Sequence, residues 1–295
     1  MSRRDPRVHP RVRGFDRAAE AYERGRPGYP PAAARYLARV LGLRRGQTVV
    51  ELGSGTGKLT RNLLGSGAAI VAVEPTSRMR RVFARRLPST LLLDGTAEAI
   101  PLPDGVADAV VVAQAFQWFR PGPALREVDR VLRPGGVLAL VWNVRRPHGR
   151  LARRVNAVVD RLEEEARRKR GPRWAAPGRR RWRAAFQDGR FGFGRPRRRS
   201  FFHRQAVTPR ALVDRVLSES AVATLGAGQR RRVASEVRTV LAQETRGLRG
   251  RGLAAGLPYR TDVYLVRRVR RRAAGFRRRR RRTTATRRTP GTSRG

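Results

Sequence analysis

Val49-Val50-Glu51-Leu52-Gly53-Ser54-Gly55-Thr56-Gly57 reads as an apolar strand, three alternate glycines and a helix beginning near Lys58. Glycine lets the backbone turn sharply and lets a ligand approach without meeting a Cβ. At the first strand–helix junction of a doubly wound sheet, such a turn forms a nucleotide-binding crevice. Outward from it, short apolar runs alternate with amphipathic stretches. The runs Val49–Leu52, Ile70–Val73, Leu91–Leu93, Ala109–Ala113 and Val137–Trp142 lack the alternation of a half-exposed strand. Strands read this way when helices cover both faces of a parallel sheet. Between them the spacing predicts helices over 31–43 and 59–64, a third bearing Met79, Val82, Phe83 and Leu87, and a fourth bearing Leu125, Val128 and Leu132. Repeated strand–helix–strand units make right-handed crossovers. The expected fold is therefore α/β, with a doubly wound, mostly parallel sheet.

The ligand of the turn is narrowed by its details. A P-loop needs four residues between its glycines and Lys-Ser/Thr after them; here three residues separate Gly53 from Gly57, and Leu59 follows Lys58. A dinucleotide fingerprint would place Lys58 where a small residue must pack helix against strand. Glu51, two residues before the first glycine, would repel a pyrophosphate but suits a ligand carrying ammonium and sulfonium charges. S-adenosylmethionine carries both. Glu74 ends the second apolar run, where a carboxylate accepts hydrogen bonds from ribose hydroxyls. The plainer alternatives are a loop-bracing Glu51 and an ordinary exposed strand end at Glu74.

Beyond Trp142 the pattern changes. Arg133-Pro134-Gly135-Gly136 suits a turn. Residues 144–199 form an irregular basic insert with a helix near 151–169 and the aromatics Trp174, Trp182, Phe186, Phe191 and Phe193. Strands are expected over 200–207 and 259–269, with helices near 209–218 and 229–243. Three regions follow: a polar lead-in over residues 1–30, covering the crevice with Phe15, Tyr22 and Tyr29; a main domain over 31–271; and a tail over 272–295. Eleven of the sixteen residues from Arg267 to Arg282 are arginine, so the tail is expected to be disordered.

Composition limits the remaining chemistry. Cysteine is absent, and the three histidines His9, His148 and His203 do not cluster, so no metal site is expected. No run approaches the ~20 apolar residues of a membrane span, and residues 1–14 lack the apolar core of a secretory signal, which leaves a cytoplasmic protein as the default. The net charge of +46 comes almost wholly from arginine, since Lys58 and Lys169 are the only lysines. Arginine spread through every segment fits a compositional bias better than one nucleic-acid-binding face, although the tail could attract nucleic acid non-specifically.

From Phe15 to Trp142 the chain resembles the class I S-adenosylmethionine-dependent methyltransferases of the type 11 group, which includes ubiquinone- and menaquinone-biosynthesis enzymes and trans-aconitate methyltransferases. The matching stretches are Phe15…Tyr22…Arg26-Pro27-Gly28-Tyr29-Pro30, the Glu51–Gly57 turn, Val73-Glu74-Pro75…Met79, Gly95-Thr96-Ala97-Glu98…Pro101-Leu102-Pro103, Asp108, Ala115-Phe116-Gln117-Trp118-Phe119 and Val131-Leu132-Arg133-Pro134-Gly135-Gly136. Leu257–Tyr264 resembles the closing strand of bacterial members. The resemblance implies a seven-stranded Rossmann-like sheet with its last strand antiparallel. It also implies a cofactor site. Gly53 and Gly55 would approach the methionine moiety, Glu51, Ser54, Thr56 and Gly57 would belong to the same cofactor-binding turn, and Glu74 would bind the ribose. Pro75 and Met79 would line the adenine face, Thr96, Ala97 and Glu98 its edge, and Gln114, Ala115 and Phe116 would border the transferring methyl.

Relatives often carry Asp at the Thr96 position, which removes one expected adenine contact. They often place His between the Phe and the Trp, where this chain has Gln117, so no catalytic acid or base is assigned. Acceptor choice is expected from Tyr22, Tyr29, Gln117, Trp118, Trp142 and the 144–199 insert. A small-molecule acceptor is favoured over RNA or a nucleic-acid-associated protein, because the Asn/Asp-Pro-Pro-aromatic motif of many base methyltransferases is missing. The third possibility is a basic nucleic-acid binder with a vestigial cofactor site.

Overall fold

The computed structural model describes residues 12–170, 182–187, 189, 191–245 and 256–268. Its centre is a seven-stranded sheet of β1 (Thr48–Leu52), β2 (Ala69–Val73), β3 (Leu91–Leu93), β4 (Ala107–Ala113), β5 (Leu132–Arg145), β6 (Arg197–Gln205) and β7 (Leu257–Arg267). The strand order is β3-β2-β1-β4-β5-β7-β6, parallel from β3 to β5 and antiparallel where β7 inserts between β5 and β6. Chain order reverses between β1 and β4, and the carboxyl ends of these strands open a crevice at that switch point.

The uniformly apolar strands are explained by two cores. Val50, Leu52, Val71, Val73, Val110, Val112, Leu138 and Leu140 point to one face. Their neighbours Val49, Ile70, Ala109, Val111, Ala139 and Val141 point to the other. In chain order the helices are α1 (Val12–Arg17), α2 (Ala19–Gly25), α3 (Pro31–Val40), α4 (Thr60–Leu63), α5 (Ser77–Arg86), α6 (Pro121–Val131), α7 (Arg150–Arg170), α8 (Pro209–Leu217), α9 (Ser220–Ala223) and α10 (Ala227–Thr245). Ala124, Leu125, Val128 and Val131 of α6 cover the first face, and Ala33 and Leu37 of α3 help cover the second.

Three expectations change in detail. The helix over 59–64 shrinks to α4 and a 3-10 turn, Leu64–Ser66, because Gly67 at φ +80° closes it. The turn at Arg133–Gly136 is a bulge within β5: Leu132 pairs with Ala107 and Val137 with Ala109, so the intervening residues loop out opposite Asp108. There the Asp108 carboxylate accepts from Thr48 N and from Arg133. The insert over 144–199 is more ordered than its composition suggests. From α7, Val155, Val158, Val159 and Leu162 pack on α8 and α10 through Leu212, Val216, Val237 and Leu241, forming a separate helical core. A further 3-10 turn, Trp182–Phe186, joins the sheet core. Trp174 and the 272–295 tail lie outside the described residues. Among the described residues, no helix is long and apolar enough to cross a membrane, and no group of three or more acidic or His side chains could hold a metal ion.

Candidate functional site

A cleft of about 460 Å³ runs along the carboxyl ends of the parallel strands. Its position follows from the switch between β1 and β4, and its shape from the glycine turn. Gly53 N and Ser54 N both donate to Val73 O, which ties the turn to the end of β2. Gly53 and Gly55 adopt φ +64° and +59°, which favour glycine. A Cβ on Gly53 would come within 2.6 Å of the Ala115 Cβ, whereas one on Gly55 would meet nothing within 4 Å. Gly55 therefore presents bare backbone to the open cleft.

Glu74 stands at the end of β2. Its Oε2 accepts from Gly55 N at 2.9 Å, and its Oε1 accepts from Thr76 N at 2.9 Å and Thr76 Oγ1 at 2.5 Å. Burial raises its pKa against the pull of these bonds and of Arg80. A carboxylate has about four lone-pair directions, so acceptor capacity remains on Oε2. Thr96 also lines the cleft, and its buried Oγ1 has no hydrogen-bond partner. At the floor, Gln114 is the one non-glycine described residue with positive φ, at +60°. Its backbone N donates to Val141 O, and its side-chain amide donates to Asn143 O. Backbone strain of this kind costs about 1–3 kcal/mol and concentrates at ligand clamps.

Of the residues expected at the cofactor, Gly53, Gly55, Glu74, Pro75, Met79, Thr96, Ala97, Glu98, Gln114 and Ala115 line the cleft, as do Tyr22, Tyr29, Gln117 and Trp118 among the acceptor candidates. The others sit behind the wall. Glu51 lies in the strand, 1% exposed, with its Oε2 accepting from Thr60 Oγ1, and burial pushes its pKa up to about 7. Ser54 is buried. Thr56 turns away to Glu23, donating to its Oε2 at 2.6 Å. Gly57 is a packing glycine, since a Cβ there would come within 2.9 Å of Phe83 and 2.6 Å of Leu87. Phe116 is core, 5.6 Å from the Phe186 ring. Trp142 is corrected likewise: it is 3% exposed and stacks on Trp182 at 4.6 Å. It meets the cleft wall only through its Nε1, which donates to Gln117 Oε1 at 2.8 Å. The pair with Trp182 buries both indoles, which a position facing solvent would not.

Sequence reasoning missed the clasp at Glu23. From α2 its carboxylate takes Thr56 Oγ1 and Arg61, while its backbone O takes Lys58 Nζ at 2.7 Å. Burial alone would raise its pKa; Lys58, Thr56 and Arg61 together hold it below the ordinary carboxylate value. The lead-in is thus fastened to the glycine turn, with Phe15 edge-on to Tyr22 and Trp118 across the cleft mouth. The far end was missed as well. Arg26, Arg145, Arg215, Glu219 and Tyr259 line it. No spacing signal marks them, and single arginines are lost among 68 basic residues.

Residues 50–140 match the methyltransferase domain family. An uncharacterised methyltransferase of Mycobacterium tuberculosis is 39% identical over 247 residues, covering 84% of this chain and 92% of the relative. One from Schizosaccharomyces pombe is 40% identical over 113 residues, or 38% of this chain and 45% of the relative. Among solved structures, a protein of Anaeromyxobacter dehalogenans provisionally assigned as a type II methyltransferase aligns with a TM-score of 0.53 and 25% identity, covering 82% of this chain and 96% of that one. The strand order, the glycine turn at its switch point and the near full-length Mycobacterium relative agree: the chain belongs to the class I methyltransferase family.

Proposed function

We propose that the chain transfers the methyl group of S-adenosylmethionine to a small-molecule acceptor, with the cofactor lying across the ends of β2, β1 and β4. The observation that carries this reading is Glu74, a buried carboxylate facing the open Gly55 backbone with acceptor capacity left for ribose hydroxyls. The partnerless Thr96 Oγ1 supports it, since a hydroxyl in this place can serve an adenine edge where relatives often carry a carboxylate. Met79 and Pro75 supply an apolar face.

S-adenosylmethionine, when bound, supplies a methyl group activated by its sulfonium for in-line displacement. The protein's own contribution is positioning and the exclusion of water. Gly53 and Gly55 let the backbone approach closely, and Gln114 and Ala115 shape the floor where the acceptor must meet the methyl. Phe15, Tyr22 and Trp118 cover the mouth. Gln117 is no base: its carbonyl is occupied by Trp142. His203 is on β6, stacked on Tyr259 at 5.7 Å, with burial lowering its pKa, and it is not among the cleft-lining residues. Among the described residues no histidine lines the cleft, and the reaction we infer is one whose acceptor needs no proton removed by an imidazole.

Isothermal titration with S-adenosylmethionine tests the reading. Glu74→Ala should weaken binding by about 10–100-fold, the loss of one or two hydrogen bonds to a charged group. An unchanged affinity, or a wild type that never binds the compound, rules it out.

A further inference from the structure

Resting on that cofactor placement, the geometry points to a carboxylate-bearing acceptor, anchored at the β5–β7 end of the cleft by Arg215 and Arg145. Arg215 lines the cleft from α8, yet its side chain is only 2% exposed. Its Nε donates to Tyr259 Oη at 2.5 Å and its Nη1 to Glu219 Oε1 at 3.3 Å. Among the described residues nothing accepts from its Nη2. Arg26 shares the same carboxylate, donating to Glu219 Oε2 at 2.8 Å and to Ser218, and among the described residues nothing accepts from its Nη1. Arg145 lies on β5 directly opposite Tyr259 of β7 and bonds outward to Asn156 and the exposed Asp160. Three guanidiniums therefore surround one partly buried glutamate, with donors left over on a concave wall. No nitrogen of Arg215 or Arg26 is among the described buried atoms without a partner, so these spare donors are open to the cleft, where an entering anion can take them as charge-assisted partners. Guanidinium and carboxylate match as forks, which favours a planar carboxylate.

Two carboxylates could occupy the wall: that of the acceptor, or that of the cofactor's own amino-acid end. Position favours the acceptor. Strands lie about 4.8 Å apart, so β5 stands roughly 14 Å from Glu74 on β2, with β1 and β4 between them. The amino-acid end belongs over the Gly53–Gly55 turn on β1. Arg145 and Tyr259 are beyond β4, on the side where the acceptor approaches. A carboxylate acceptor needs no general base, and among the described residues no histidine lines the cleft.

The test uses the full chain and calorimetry with glutarate, and with glutaramide as its neutral isostere. Titrations are run on the free protein and on protein saturated with S-adenosylhomocysteine. Glutarate should bind saturably in both states, with glutaramide at least tenfold weaker. Arg215→Gln should weaken glutarate at least tenfold; because Arg215 is buried and that variant can fail to fold, Arg145→Gln provides the same readout from a residue 28% exposed. Arg231→Gln, an exposed arginine on α10, removes the same charge and should leave glutarate affinity unchanged. Equal binding of acid and amide, absence of saturable glutarate binding, or equal losses in Arg145→Gln and Arg231→Gln overturn the proposal. Glutarate that binds free protein but is excluded by S-adenosylhomocysteine assigns the arginines to the cofactor and overturns it too. If S-adenosylhomocysteine does not bind while the glutarate results hold, the cofactor reading fails and the anion subsite stands.

Discussion

Glu51, buried behind the β1 end of the cleft, and Glu219, partly buried in its α8–α9 wall, titrate in opposite directions. Burial pushes Glu51 up to about 7; one bond from Thr60 opposes the shift and the charge of Glu74 adds to it. Burial acts on Glu219 in the same sense, but Arg26, Arg215 and Arg145 overcome it and hold the carboxyl at about 2. The two ends of the cleft are thus built from different materials. The β1–β2 end presents backbone, glycine and carboxylates, with Lys58 clasped to Glu23 and no cation acting on Glu51. The β5–β7 end is made of guanidiniums. Such polarity along one crevice would orient the proposed cofactor and acceptor without any moving part.

The largest expected effect comes from breaking the cationic end. Glu219→Gln leaves Arg26 and Arg215 facing each other without their shared carboxylate; Arg215 is buried but the cluster is only partly so, which makes the cost of breaking a buried pair, about 3–5 kcal/mol, an upper bound. Denaturant unfolding at pH 7 measures it. Wild-type stability should also fall with acid. The Glu219 pKa is depressed in the fold, so its contribution is complete above the unfolded value of 4.5 and is lost as pH drops towards about 2. The shift corresponds to roughly 3 kcal/mol as an upper bound. A variant as stable as wild type at pH 7 would show that the arginines need no counter-charge, and the contrast between the two ends would disappear.

Next is the seam joining the lead-in to the helical cap. A Cβ on Gly25 would lie 2.2 Å from Arg215 N and 2.5 Å from the Arg215 Cα, so α2 and α8 touch backbone to backbone. Gly25→Ala must push them apart, and overpacking of this kind costs about 1–3 kcal/mol. Thermal unfolding should show the loss. S-adenosylmethionine affinity should drop as well, because Glu23, two residues earlier, clasps the glycine turn. If stability falls and affinity does not, the lead-in serves the acceptor end alone.

The difference in materials explains what the sequence disclosed. Strand β1, the glycine turn and Glu74 occupy one stretch of about twenty-five residues, so their geometry follows from local rules of backbone conformation and strand periodicity. Ten of the cleft residues expected for the cofactor came from such rules and the family resemblance. The β5–β7 end is assembled from residues distant in the chain: Arg24 reaches Asp214 across 190 positions, and Arg26 reaches Glu219 across 193. No periodicity encodes that meeting, and arginine is too common here to stand out. In the Arg-rich 144–199 stretch the helix expected over 151–169 is present as α7, but its role was not legible: Val155, Val159 and Leu162 lie at helical spacing beneath its charge and build a core with α8 and α10. Aromatic content was ambiguous for a related reason, since Trp118 and Trp142 look alike in sequence and only packing separates cleft from core.

At the backbone-built end, Glu51→Gln should act with the opposite pH dependence from acid loss at Glu219. A raised pKa means that Glu51 keeps its proton in the fold after losing it in the unfolded chain. Its contribution is complete below 4.5 and is lost as pH rises to about 7. The glutamine variant should therefore match wild type at pH 4 and exceed it at pH 8, by up to roughly 3 kcal/mol. If burial alone governs Glu51, the gain persists when S-adenosylmethionine is added. A gain that vanishes with the compound, leaving wild type the tighter binder, places the carboxylate against the ligand's ammonium after all. Equal stability at both pH values would mean that Glu51 is not desolvated.

The smallest effect separates the two tryptophans. Trp142→Phe keeps an aromatic ring between Trp182 and Tyr264 but removes the Nε1 bond to Gln117, for a loss of about 1 kcal/mol. Unfolding should shift by that amount while cofactor affinity stays level, because the indole lies beneath the cleft wall. Trp118→Phe, at the mouth against Phe15, should leave stability nearly unchanged and alter acceptor KM instead. Should Trp142→Phe raise acceptor KM tenfold without any loss of stability, Trp142 reaches the ligand through a moving Gln117. The acceptor end would then extend a layer deeper than its lining residues indicate.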